Sequence, residues 1–298
     1  MRVVIGIDSS NLESTESEQP SHVFPESNLT DSSDQVFPAV QQVLQLFSPA
    51  DMTFVHAVDV SKFDFPFGAE AASPADRQQY EELRRSKLDA GQRLLERAAS
   101  LIPKGGPTTH NVCAVRGAAN LILDTAKNVA ADLIVTGTRS FGPVAETVIG
   151  SVSHRVLSQT AQSTLVVKGG PHPLRKVLVA VEGQEDAVRI QSWLNAHPFK
   201  DPVEICVLTV PQALRFASAM EYAEKLVGAT ADAIRRPSYT ITTQIATGEP
   251  AKVLAERSKQ IDLLVVGSHG RNKLERFFLG SVSHSVVYRA KCSVLVIR

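Results

Sequence analysis

The chain has 298 residues, 43% apolar and 21% charged, and its 31 basic and 31 acidic side chains cancel to a net charge of zero. That length suits about two domains, each able to bury a core of its own, and the balanced charge supplies no global field for nucleic acid or an anionic membrane. No apolar run reaches the length of a membrane helix, the first strand-like segment is too short for a signal-peptide core with its cleavage site, and the scattered Cys113, Cys206 and Cys292 read as reduced thiols, so a cytoplasmic protein is expected.

The first half alternates strand and helix patterns. Arg2–Asp8 is an apolar run suited to a strand buried on both faces. Ser9–Asp34 is polar and aperiodic, an insertion expected as a long surface loop. Val40, Val43, Leu44 and Phe47 fall at helical spacing, and Met52–Val60 is a second strand. Ser73-Pro74 predicts a helix start, with serine as N-cap and proline at the first helical position. Tyr80, Leu83, Leu94, Ala98 and Leu101 then mark the inner face of that helix. His110–Val115 is a strand, Ala118–Val129 a helix, Asp132–Gly137 a strand, Ser151–Thr160 a helix and Ser163–Lys168 a fifth strand.

Gly169-Gly170-Pro171-His172-Pro173 interrupts regular structure and forms a linker. The same order then returns: strands Lys176–Val181, Val203–Val210, Tyr239–Ala246, Asp262–Gly267 and Ser293–Arg298, with helices Ala187–Leu194, Ser218–Arg235, Glu249–Lys259 and Ser281–Ala290. Such alternation implies right-handed βαβ units and a parallel sheet covered on both faces. The order repeats because the sequence does. Ala131–Lys168 and Ile261–Arg298 align without a gap, and Gly150-Ser151-Val152-Ser153-His154 returns as Gly280-Ser281-Val282-Ser283-His284. A period of roughly 130 residues is a duplicated domain rather than a solenoid unit, which divides the chain at 1–169 and 172–298.

In the second copy a buried strand ends in Gly267-Ser268-His269-Gly270, the basic Arg271-Asn272-Lys273 follows, and Gly280-Ser281 opens a helix. Glycines let backbone N–H groups approach an anion with no Cβ in the way. A helix N-terminus adds unpaired donors and the positive end of a dipole. Ser281 can cap the helix or offer a hydroxyl to a phosphate oxygen. Gly267-x-x-Gly270, nine residues, then Gly280-Ser281-Val282, between a buried strand and a helix, resembles the nucleotide-binding signature of the universal stress protein family. The resemblance covers both halves. It implies two tandem Rossmann-like α/β domains of the adenine-nucleotide alpha-hydrolase-like type, each a five-stranded parallel sheet in the order 3-2-1-4-5. It also implies binding of ATP or another adenine nucleotide, with Mg as an open companion, and a stress-response regulatory role. Pairing through the terminal strands would form a pseudo-dimer within the chain, and a homodimer of whole chains is a further expectation.

By that resemblance the nucleoside lies beside Asp8 in the first half and beside Val181 and Glu182 in the second. The halves depart from the pattern differently. The first keeps Asp8, Gly137, Thr138, Gly150 and Ser151 but has Ser140 for the second glycine and the insertion after Asp8. The second keeps every glycine but has Glu182 for aspartate. Because one Cβ can block several convergent donors, the second half is the preferred site. His269 is a candidate phosphate contact, whereas His154 and His284 are read as packing or capping residues, and Asp132 and Asp262 as closers of turns. The alternative is that the glycines serve only the turn, in a scaffold that binds protein partners without nucleotide. No catalytic base is identifiable, so only weak ATP hydrolysis is expected rather than an enzyme, and there is no lysine-bearing phosphate loop, G-x-S-x-G, H-E-x-x-H or C-x-x-C motif.

Overall fold

A computed structural model of the chain describes residues 1–8, 37–60, 73–138, 149–200, 202–211, 217–268 and 279–298. The first half runs β1 (Arg2–Gly6), α1 (Pro38–Leu46), β2 (Asp51–Val58), α2 (Pro74–Ser100), β3 (Thr108–Val115), α3 (Ala118–Asn128), β4 (Leu133–Gly137), α4 (Ser151–Gln159) and β5 (Ser163–Val167). The second runs β6 (Lys176–Ala180), α5 (Gln184–Ala196), β7 (Val203–Thr209), α6 (Ala217–Ala233), β8 (Tyr239–Ile245), α7 (Pro250–Arg257), a 3-10 turn (Ser258–Gln260), β9 (Leu263–Gly267), α8 (Ser281–Arg289) and β10 (Ser293–Ile297). The insertion after Asp8 lies outside the described residues.

The strands form one ten-stranded sheet in the order β3-β2-β1-β4-β5-β10-β9-β6-β7-β8. Within each half every pairing is parallel; β5 and β10 meet antiparallel, with Val166 opposite Val294, Leu165 opposite Leu295 and Thr164 opposite Val296. The central strands are continuous apolar runs because helices cover both faces. On one face α1, α2, α5 and α6 pack over a core that is continuous across the two halves. On the other, α3, α4, α7 and α8 enclose two smaller cores. Phe47, the C-cap of α1, reaches Trp193 and Phe199 of the second half, each with ring centroids 5.6 Å away.

Local signals set the element ends. Ser73 and Asp76 form a capping box at α2: the Asp76 N–H donates to Ser73 Oγ (3.2 Å) and the Ser73 N–H donates to Asp76 Oδ2 (3.0 Å). At the amino edge of the sheet, Asp132 Oδ2 accepts from the Arg2 N–H (2.7 Å) and Asp262 Oδ2 accepts from the Arg175 and Lys176 N–H groups (2.8 Å each). Each aspartate therefore ties the amino end of β4 or β9 to that of the neighbouring β1 or β6, and neither closes the local turn expected from its place in the sequence. Two helices differ from the periodicity. α5 begins three residues earlier than the apolar pattern, at Gln184, and the last helix before β9 stops at Arg257 and tightens into the 3-10 turn.

A basic residue locks each side of the β5–β10 seam. Lys168, just past β5, donates from Nζ to Ala290 O (2.6 Å), and Arg298, just past β10, donates from its guanidinium to Leu157 O. Their backbone N–H groups reciprocally reach Ser293 Oγ (3.2 Å) and Ser163 Oγ (3.3 Å). Each cation thus meets carbonyls at the end of the other half's last helix, where the macrodipole is negative. Burial pushes the Lys168 amine down to about 8. His154 and His284 face each other above this seam, ring centroids 5.9 Å apart, with Tyr288 Oη 2.7 Å from His154 Nδ1. Both histidines are exposed, and they contact each other and Tyr288 rather than a buried core.

Candidate functional site

Strand order reverses between β1 and β4 and again between β6 and β9. Ligands on open parallel sheets sit outside the carboxyl ends of the strands at such points. The two edges are built alike. The Thr138 N–H donates to Val167 O (3.1 Å) and the Ser268 N–H to Ile297 O (2.9 Å), continuing each ladder one residue past the glycine. Ser153 Oγ then donates to Gly137 O (2.8 Å) and Ser283 Oγ to Gly267 O (2.6 Å). These buried hydroxyls fasten the start of α4 or α8 to the end of the preceding strand.

The repeated Gly-Ser-Val-Ser thus divides its labour differently from expectation. Gly150 and Gly280 are the N-caps, with no side-chain cap, while Ser151 and Ser281 sit at the first helical position and are exposed. Neither of these serines caps its helix; the second serine of each motif carries the structural bond, and only its burial distinguishes it. Val282 is half-buried. Among the described residues no side chain caps the start of α4 or α8, an arrangement suited to an anion. In the second half the Gly280 N–H donates to Ser268 O (2.7 Å), which fixes the helix start against the strand end. Ser140, His269, Gly270 and Arg271 lie outside the described residues.

At the strand ends the halves diverge. Gly137 is exposed, and among the described residues a Cβ built on it would meet nothing within 4 Å. Gly267 is buried, and a Cβ there would lie 1.5 Å from Asp186 Oδ1. Ser268, beside it, is only 1% exposed, whereas Thr138 is half-buried. Asp186 belongs to the first turn of α5 and is 7% exposed. Its Oδ2 accepts from the Glu182 N–H (3.3 Å), its Oδ1 has no hydrogen-bond donor, and Arg189 Nη2 stands 3.7 Å from Oδ1. Burial pushes the carboxyl up to about 6, against the opposing pull of the Glu182 amide and Arg189. Val181 is buried, while Glu182 and Asp8 are exposed.

Asp186 is the residue that sequence reasoning missed. The signal existed: Asp186, Ile190 and Leu194 recur at four-residue spacing, so the acid lies on the buried stripe. Asp186 thus occupies the space beside Gly267, whereas among the described residues no side chain occupies the matching space at Gly137.

A family model described as "Universal stress protein family" matches residues 29–168 and again 173–298. The chain belongs to the universal stress protein family. A universal stress protein of Mycolicibacterium smegmatis is 27% identical over 266 residues, spanning 84% of this chain and 87% of that protein. The Mycobacterium tuberculosis universal stress protein Rv2623 is 27% identical over 242 residues, spanning 72% and 78%. Among solved structures, a universal stress protein from Archaeoglobus fulgidus covers 100% of this chain and 96% of its own at a TM-score of 0.57 and 16% identity, a likeness of fold. Among the described residues of this universal stress protein, no helix is long and apolar enough to cross a membrane, and no cluster of three or more His, Cys, Asp or Glu could hold a metal ion. Cys113, Cys206 and Cys292 are free thiols, and burial pushes the Cys292 thiol up to about 12.

Proposed function

We propose that this universal stress protein binds an adenine nucleotide, ATP in the first instance, as a regulatory ligand at the carboxyl edge of its first half. The observation that carries the reading is the open backbone at Gly137, at the reversal of strand order and next to the uncapped start of α4. Asp8, two residues past β1, would hold the nucleoside. Thr138 and Ser140 would line the turn, and the N–H groups of Gly150 and Ser151 would take phosphate oxygens. Mg, where it accompanies the nucleotide, binds chiefly through phosphates and water, so the proposal requires no metal site of the protein's own. The complete set of glycines favours the second half by sequence; Asp186 beside Gly267 is the ground for proposing the first half instead.

A bound nucleotide regulates only by differing in affinity for two states, and slow hydrolysis at most is proposed. The β5–β10 seam would supply within one chain what association of two single-domain copies would otherwise supply, covering an edge strand that is a liability when bare. The free thiols support a reducing compartment such as the cytoplasm.

Equilibrium titration with ATP tests the proposal. Saturable binding that weakens by about tenfold or more, roughly 1.4 kcal/mol, in Gly137→Val supports it. That side chain enters open space, so the fold should be kept. Absence of binding at millimolar ATP ends it and leaves the scaffold reading, which the filled second-half crevice already favours for that half.

A further inference from the structure

Half of the Asp186 carboxylate is explained by ordinary helix chemistry. It occupies the third position of α5, where an acid gains from the macrodipole, and its Oδ2 takes the Glu182 N–H that precedes the helix. The other half is not. Among the described residues Oδ1 is buried without a hydrogen-bond donor, and Arg189 meets it only as an ion pair at 3.7 Å. An acceptor stranded in this way costs about 1–3 kcal/mol. An acid on the exposed side of the same turn, where Glu185 already stands, would gain from the dipole without that cost. The inward position therefore needs another reason, and its place supplies one. Oδ1 rests against Gly267, the last residue of β9 and the bare edge that the family's glycine signature presents to a ligand. The carboxylate, rather than a nucleotide, is what forbids a Cβ at this position.

We propose that Asp186 is a built-in occupant of the second half's ligand crevice, so that each chain takes one adenine nucleotide, in its first half, and keeps the second half shut. The inference rests on the nucleotide reading above. Asp186 excludes a nucleotide by volume, since it fills the space over Gly267, and by charge, since a buried carboxylate opposes a polyphosphate in a medium that screens poorly. The exposed Glu182 on the adjoining turn adds a second negative charge, and Arg189 is the cation paired with Asp186. At the matching edge of the first half, no described residue fills the space at Gly137. Duplication has thus left two copies of one fold with one usable mouth.

Native mass spectrometry of the full chain in excess ATP counts the occupied sites. The expected counts are one in the wild type, none in Gly137→Val, two in Asp186→Ala and one in the double variant Gly137→Val/Asp186→Ala. Should Asp186→Ala fail to fold, Asp186→Ser keeps a short acceptor for the Glu182 N–H and should give the same count. A wild type that binds two, a Gly137→Val that still binds one, or an Asp186 variant that stays at one overturns the inference while leaving nucleotide binding intact. No ATP on any of these proteins refutes the nucleotide reading itself, and the inference falls with it.

Discussion

Replacing Asp186 by asparagine should stabilise the protein at neutral pH and erase a pH dependence that the wild type carries. The carboxyl is held near 6 against an ordinary 3.8, because burial disfavours its charged form more than the Glu182 amide and Arg189 favour it. The folded state thus binds this proton more tightly than the unfolded chain does. The sign follows: stability is greatest below the unfolded value, falls as pH rises from 3.8 towards 6, and stays low above that. A shift of about two units at roughly 1.4 kcal/mol each sets a ceiling of about 3 kcal/mol. Asparagine keeps an acceptor for the Glu182 N–H and removes the charge, but it places an amide where Oδ1 has no hydrogen-bond partner at a cost of about 1 kcal/mol or more, so a net gain of up to about 2 kcal/mol is expected near neutrality. Urea unfolding of both proteins at several pH values between about 4 and 8 measures it. The two curves should converge in acid and separate above about pH 6. Parallel curves, or a variant less stable at neutral pH, would refute the assignment of a strained buried charge.

Two further outcomes follow from the packing. Gly267→Ala drives a Cβ to 1.5 Å from Asp186 Oδ1, so it should lose about 2 kcal/mol or more and recover most of that in an Asp186→Ala background; Gly137→Ala, facing open space, should stay within about 0.5 kcal/mol of wild type, and equal effects of the two alanines on thermal unfolding would contradict the asymmetry. Leu165 and Leu295, both fully buried and opposite one another in the β5–β10 seam, should each cost about 2–5 kcal/mol as alanine, with a coupling of about 0.5–3 kcal/mol in the double-mutant cycle; strict additivity would mean that the seam does not bind the halves together.

Much of the architecture was legible because buried parallel strands are apolar runs with little ambiguity. Val3–Ile5, Leu133–Val135 and Leu263–Val266 could scarcely be anything else, and the gapless repeat of the β4–β5 region doubled each of those assignments. The Ser73-Pro74 start of α2 was equally plain, because a capping box is a local signal that needs no tertiary context. The site was legible in outline, but the depth of its individual residues was not. Apolar periodicity begins α5 at Ala187, which trims away the very turn that carries Asp186; a polar residue in phase with Ile190 and Leu194 looks like a helix boundary until its burial is known. Likewise Ser151 and Ser281 drew notice as the residues after the glycines, yet Ser153 and Ser283 make the bonds that fasten helix to strand. Both differences arise from depth, which sequence spacing encodes only weakly. The seam clamps of Lys168 and Arg298 join residues more than a hundred positions apart, and nothing local announces them.

Photolabelling with an azido derivative of ATP, followed by peptide mapping, tests the central claim most directly. The account predicts ATP-competed label in first-half peptides that border Asp8, Thr138 or Gly150, and none in peptides that border Val181 or Gly267. Label concentrated on the second half, or label that unmodified ATP fails to displace, would contradict it.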